Sequence, residues 1–84
     1  MSSSVHRILM QRWRKQVNEK SLICYLCGQL ILKQEELSAD HVVPKSKGGT
    51  TSFSNLKPTH KICNNKKGDK TFFQYLKQQA EHTR

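Results

Sequence analysis

His60-Lys61-Ile62-Cys63-Asn64-Asn65-Lys66-Lys67 decides how this chain is read, because its first and fourth residues repeat the spacing of an upstream pair, Cys24-Tyr25-Leu26-Cys27. The two pairs supply three thiolates and one imidazole, the ligand number and type of a closed tetrahedral structural zinc site. Between them lie Asp40-His41 and Asn55, and Asn64 follows Cys63 directly. One proton acceptor and two hard oxygen donors therefore flank the halves of a metal staple. A redox Cys-x-x-Cys is the rival reading, but no strand-helix-strand pattern of thioredoxin type surrounds it.

The staple answers a need set by length. A chain of 84 residues is one domain, and a chain this short buries only about 60% of its unfolded surface. Its hydrophobic fraction is 35% and its mean hydropathy is -0.75, so the apolar core alone is marginal and bound metal would supply the missing stability. Three cysteines cannot all pair, and metal-ligand spacing suits a reducing interior better than a disulfide scaffold. A cytoplasmic protein is expected. The first ten residues hold only the short apolar run Ile8-Leu9-Met10, which is neither a signal peptide nor a spanning segment.

Charge names the class of partner. Fifteen Lys and Arg against six Asp and Glu give a net charge of +9, as expected of a protein that meets a polyanion, with nucleic acid the leading candidate. Between Leu37 and Gln79 the only acids are Asp40 and Asp69, set against a run of lysines. Lys45, Lys47, Lys61, Lys66, Lys67, Lys70 and Arg14 are the candidate phosphate contacts. A basic membrane-binding helix would need a strong apolar face, and these lysines follow loops and turns instead.

Val5, Ile8, Leu9, Trp13 and Val17 recur at helical spacing and predict an amphipathic N-terminal helix after Ser2-Ser3-Ser4. Leu22 to Leu32 reads as a metal-holding knuckle between two short extended segments. Leu37 to Val43 reads as a strand stopped by Pro44, and Lys45 to Ser54, with Gly48-Gly49 and several hydroxyls, reads as a loop. Asn55-Leu56-Lys57 starts a second strand. Thr59 is a suitable N-cap for a helix from about His60 to the Gly68-Asp69 break, and Phe72, Phe73, Leu76 and Ala80 mark a final amphipathic helix.

His41 is the candidate general base, since a neutral imidazole can take a proton from water near neutral pH. Asp40 and Asn64 offer a carboxylate and an amide oxygen, donors suited to Mg2+ or Mn2+. Adjacent strand residues point to opposite faces, so bringing Asp40 and His41 to one site implies a strand end, bulge or twist. Asn55 can donate and accept together, and is assigned to tie the loop after His41 back to the strand that carries it.

At this point the residues resemble the HNH endonuclease family in its zinc-bound form. That family's pattern is Cys-x-x-Cys, Asp-His with a following Pro and Gly-Gly, Asn-Leu, then Cys-x-x-Cys-Asn-x-x-Lys. This chain reads Cys24-Tyr25-Leu26-Cys27, Asp40-His41-Val42-Val43-Pro44-Lys45-Ser46-Lys47-Gly48-Gly49, Asn55-Leu56 and His60-Lys61-Ile62-Cys63-Asn64-Asn65-Lys66-Lys67. The resemblance covers Leu22 to Lys70. His60 stands where the family often has Cys, and Asn64 where many members carry His.

The resemblance implies an α+β architecture, the small ββα-metal (His-Me finger) fold, as in stand-alone phage or bacterial members. The chain would be a single HNH domain over 1–84: a basic helix over 1–21, the zinc-bound core over 22–70 and a C-terminal helix over 71–84. It also implies a metal-dependent endonuclease or nickase. His41 would activate water, an ion on Asp40 and Asn64 would stabilise the departing 3′ oxygen, and Asn55 would support the catalytic set. With no second recognition domain, sequence selectivity should be modest unless a protein partner or a homodimer supplies it. A catalytically silent zinc-stapled nucleic-acid-binding module is the alternative, and a protein-interaction knuckle a third.

Overall fold

Leu9, Trp13 and Val17 are spaced four apart, so an α-helix lays them on one stripe, and all three are buried on the first helix, α1 (Ser4–Asn18). In the computed structural model, which describes residues 4–82, the other elements are β1 (Leu37–His41), β2 (Leu56–His60), α2 (Lys61–Lys67) and α3 (Phe72–His82). This is the α+β arrangement expected: a two-stranded hairpin followed directly by a helix, with helices flanking it. Met1 to Ser3, part of the expected N-terminal helix, and Thr83 and Arg84 at the end of the C-terminal one, lie outside the described residues.

Between α1 and the hairpin the chain folds into a knuckle. Ile23 bridges Leu30, the Cys24 N–H donates to the Gln29 carbonyl at 2.9 Å, and the Gly28 N–H returns to the Cys24 carbonyl at 2.9 Å. Leu22, Cys24, Leu26 and Ile31 face inward from it and join α1, Leu37, Leu56 and Tyr75 in one core. Gln34 fixes the approach to β1, its amide donating to the Arg14 carbonyl at 2.7 Å and to Asn18 Oδ1 at 2.9 Å.

β1 and β2 pair antiparallel from Leu37 opposite His60 to His41 opposite Leu56. The Val42 N–H reaches the Asn55 carbonyl at 2.9 Å, which carries the same register one pair further. β1 is therefore two residues shorter than expected, and β2 longer, running through Pro58 to His60. Pro58 is tolerated because its carbonyl turns away from β1 to accept the Tyr25 N–H at 3.0 Å, so its missing N–H would also have pointed outward. Thr59 is consequently not the N-cap that the sequence suggests. It is fully buried in β2 with its hydroxyl 3.2 Å from Cys24 Sγ, and α2 begins after His60 with no side-chain cap.

α3 opens on a reciprocal capping box: the Gln74 N–H donates to Thr71 Oγ1 at 3.1 Å and the Thr71 N–H to Gln74 Oε1 at 2.9 Å. The box turns Phe72 and Tyr75 toward the core, whereas Phe73 is 76% exposed and Leu76 and Ala80 also face outward. Of the four residues that mark this helix in the sequence, Phe72 therefore packs on the core and Phe73, Leu76 and Ala80 do not, and Tyr75 takes the buried position.

The loop between the strands turns on two glycines with different reasons. Gly48 has a φ of +88, a left-handed conformation, with open space where a Cβ would stand. A Cβ on Gly49 would instead overlap the Val43 carbonyl and lie 2.9 Å from the Pro44 oxygen. Gly48→Ala should therefore cost about 1 kcal/mol of backbone strain, and Gly49→Ala a further 1–3 kcal/mol or so, because backbone must move. Urea denaturation of the two variants separates these effects; equal losses would show that the close approach at Gly49 is not a constraint.

Candidate functional site

The knuckle, the end of β2 and the first turn of α2 bring Cys24, Cys27, His60 and Cys63 together, their ligand atoms all within 4.8 Å of one another. Cys27 Sγ lies 3.4 Å and Cys63 Sγ 3.9 Å from His60 Nδ1. On its other side His60 Nε2 is 3.1 Å from the Leu30 carbonyl. A carbonyl only accepts, so Nε2 carries the proton and the Nδ1 lone pair faces the sulfurs. The donors thus fit a tetrahedral zinc ion in kind, number and tautomer.

The thiols are poised unequally. Burial pushes Cys24 up, but hydrogen bonds from the Thr59 hydroxyl and the His60, Cys27 and Leu26 backbone outweigh it and bring the thiol down to about 6. Burial, with the charge of Cys24 beside it, pushes Cys63 up to about 12. Cys24 is therefore poised as a thiolate at neutral pH, and three thiolates can coexist at this spacing only around a cation.

His41 stands at the other end of the hairpin, about 13 Å along β1 from the pair that ends in His60. It is the last residue of β1, and no bulge interrupts the pairing up to it. With no bulge, ordinary strand alternation turns it and Asp40 to opposite faces. Its ring meets the loop, with Nε2 3.0 Å from Thr51 Oγ1. Burial first, then the positive charge of Lys45, holds its pKa below 6.5, with Asp40 opposing and His6 and Lys67 assisting, so the imidazole is neutral at pH 7.

Asp40 faces away from that ring and toward α2. It is 5% exposed, accepts a hydrogen bond from the Tyr25 hydroxyl on Oδ2, and pairs with Lys67 Nζ at 3.1 Å through Oδ2 and 3.4 Å through Oδ1. Burial and the Asp40 contact push the Tyr25 phenol well above its ordinary range, so this hydroxyl stays a donor. Asn64 reaches the same strand at the two preceding residues: its Nδ2 donates to Ser38 Oγ at 2.9 Å and approaches the Ala39 carbonyl at 3.5 Å. Its Oδ1 makes no hydrogen bond among the described residues. Asn55 ties the loop on three sides, accepting the Val43 N–H at 3.0 Å and donating to the Val43 carbonyl at 3.0 Å and the Thr50 carbonyl at 2.7 Å.

The cations divide. Lys45, Lys47, Lys66 and Arg14 are exposed, and Lys47 reaches Gln74 Oε1 at 2.7 Å. Lys61 is exposed at the zinc-ligand end, lining a hollow with Glu35, Glu36, His60 and Ile62. Lys70 is half-buried against the Lys67 carbonyl. Lys67, read from sequence as a phosphate contact, is corrected: it is fully buried on Asp40 and on the His41 carbonyl at 2.9 Å. Tyr25 and Thr51 were not singled out by sequence reasoning. Only the hydroxyl-rich loop hinted at Thr51, and a Tyr inside a Cys-x-x-Cys gives no hint at all.

A family model described as HNH endonuclease matches residues 24–70. No curated protein matches the chain. The matched segment is more than half of the sequence and holds both the Cys/His cluster and the Asp40-His41 hairpin, and the chain belongs to the HNH endonuclease family.

Proposed function

We propose that the chain is a metal-dependent DNA endonuclease or nickase that hydrolyses phosphodiester bonds, with His41 as general base. The observation that carries this is a neutral imidazole, fixed at Nε2 by Thr51 and set on a hairpin whose far end is clamped by the Cys/His cluster. With Thr51 Oγ1 accepting from Nε2–H, Nδ1 would be left to take the proton of the attacking water. Asn55 holds the loop that carries Thr51 against the end of β1. Lys45, Lys47 and Lys66 are exposed to the DNA backbone, Lys47 with its ammonium held by Gln74. Asp40 and Asn64 supply the oxygens for a Mg2+ or Mn2+ ion, which when bound would shield the charge developing on the leaving oxygen. Cys24, Cys27, His60 and Cys63 hold structural zinc, and their reduced thiols suit a cytoplasmic setting.

A second reading, a zinc-stapled module that binds nucleic acid without cutting it, draws support from the Asp40 carboxylate being buried and already neutralised by Lys67. Supercoiled plasmid distinguishes the two. Wild type should nick it in Mg2+ or Mn2+, and His41→Ala should lose at least about 100-fold in rate with unchanged circular dichroism. Salt-sensitive binding with no cleavage in any divalent ion would favour the module.

The acid limb of the cleavage rate should lie below pH 6.5, because the lowered pKa keeps His41 unprotonated to more acidic pH. Lys45→Ala removes the second cause of the lowering and should move the limb upward; an unmoved limb would exclude Lys45 from setting the base.

Zinc content should be one per chain, measurable by native mass spectrometry. Strong chelator should abolish cooperative melting, since a structural zinc contributes on the order of 10–16 kcal/mol in apparent binding; an undiminished transition after zinc removal would refute the structural role.

A further inference from the structure

Lys67 is a fully buried cation that the proposed chemistry does not use. Its ammonium donates to Asp40 Oδ1 at 3.4 Å and to the His41 carbonyl at 2.9 Å, and it pairs with Asp40 Oδ2 at 3.1 Å. The Tyr25 hydroxyl takes a further position on Oδ2. The carboxylate read as a cation ligand thus already carries a full countercharge in a buried setting. A Mg2+ or Mn2+ ion would coordinate the same oxygens at about 2.1 Å, close enough to the ammonium for strong mutual repulsion where water screens little.

We propose that Lys67 is an internal rival of the divalent ion at Asp40. The ammonium and the ion exclude one another there, so ion affinity is lowered by what it takes to move Lys67. The same ammonium tethers the His41 carbonyl, and an ion that displaces it also releases the backbone of the base. Divalent-ion occupancy and the placement of His41 are thereby coupled through one side chain. The inference rests on the reading of Asp40 as the ion's ligand.

The test is Mn2+ binding to the full chain, saturated with zinc beforehand, followed by the electron paramagnetic resonance of free Mn2+. Lys67→Met keeps the aliphatic stem and removes the charge, and should bind Mn2+ about tenfold more tightly or better. Asp40→Asn should abolish this binding in both backgrounds. If Lys67→Met leaves the affinity unchanged while Asp40→Asn abolishes it, the rivalry is overturned and Asp40 remains a ligand. If Asp40→Asn changes nothing, the ligand reading falls and the rivalry with it. Should Lys67→Met fail to fold, wild type decides: a buried, bonded ammonium gives a protected Lys Nζ resonance, which saturating Mg2+ should remove. A resonance that persists unchanged at saturating Mg2+ overturns the proposal.

Discussion

The convergence of Cys24, Cys27, His60 and Cys63 within 4.8 Å is the constraint from which the rest of the structure follows. It joins three segments that a small core would hold only weakly: the knuckle, the end of β2 and the start of α2. Once His60 is fixed at one end of the hairpin, antiparallel pairing with an unbroken register sets where every residue of β1 must lie. His41 is then placed at the opposite end by counting alone. His41 and the strand pair that includes His60 are held about 13 Å apart by a single short strand.

A second constraint sits between those ends. Asp40 and Lys67 form a buried ion pair that Tyr25 completes, so that the knuckle, β1 and α2 meet at one carboxylate. Such a pair adds little net stability, yet removing one partner leaves an uncompensated buried charge and costs about 3–5 kcal/mol. The pair's effect is therefore to specify how α2 and the knuckle dock on β1. Its full satisfaction also means that a residue type usually read as surface, a lysine in a strongly basic chain, is part of the interior.

Much of this was legible in sequence because metal ligands and turn residues carry strong local signals. The four ligands, the strand-loop-strand order, the α1 stripe through Leu9, Trp13 and Val17, and the tie made by Asn55 need only spacing and donor chemistry. What stayed hidden depends on partners distant in sequence. Thr59 looks like an N-cap because hydroxyls before helices usually are, but β2 runs on and its hydroxyl serves Cys24 instead. On α3 the apolar spacing points to Phe72 but passes over Tyr75, which turns inward beside it after the Thr71–Gln74 capping box that opens the helix.

The burial of Lys67 could have been read from helical geometry. At about 100° per residue, Asn64 lies 100° from Cys63 and Lys67 only about 40°, between the two. If Cys63 must face the staple and Asn64 must face β1, Lys67 has no outward direction left. Ile62, Asn65 and Lys66 fall on the remaining arc, and all three are exposed. A lysine placed inside that arc requires a buried anion within reach of its stem, and β1 offers Asp40 alone. The charge of Asp40 is therefore claimed by the same helix that brings Asn64 to β1.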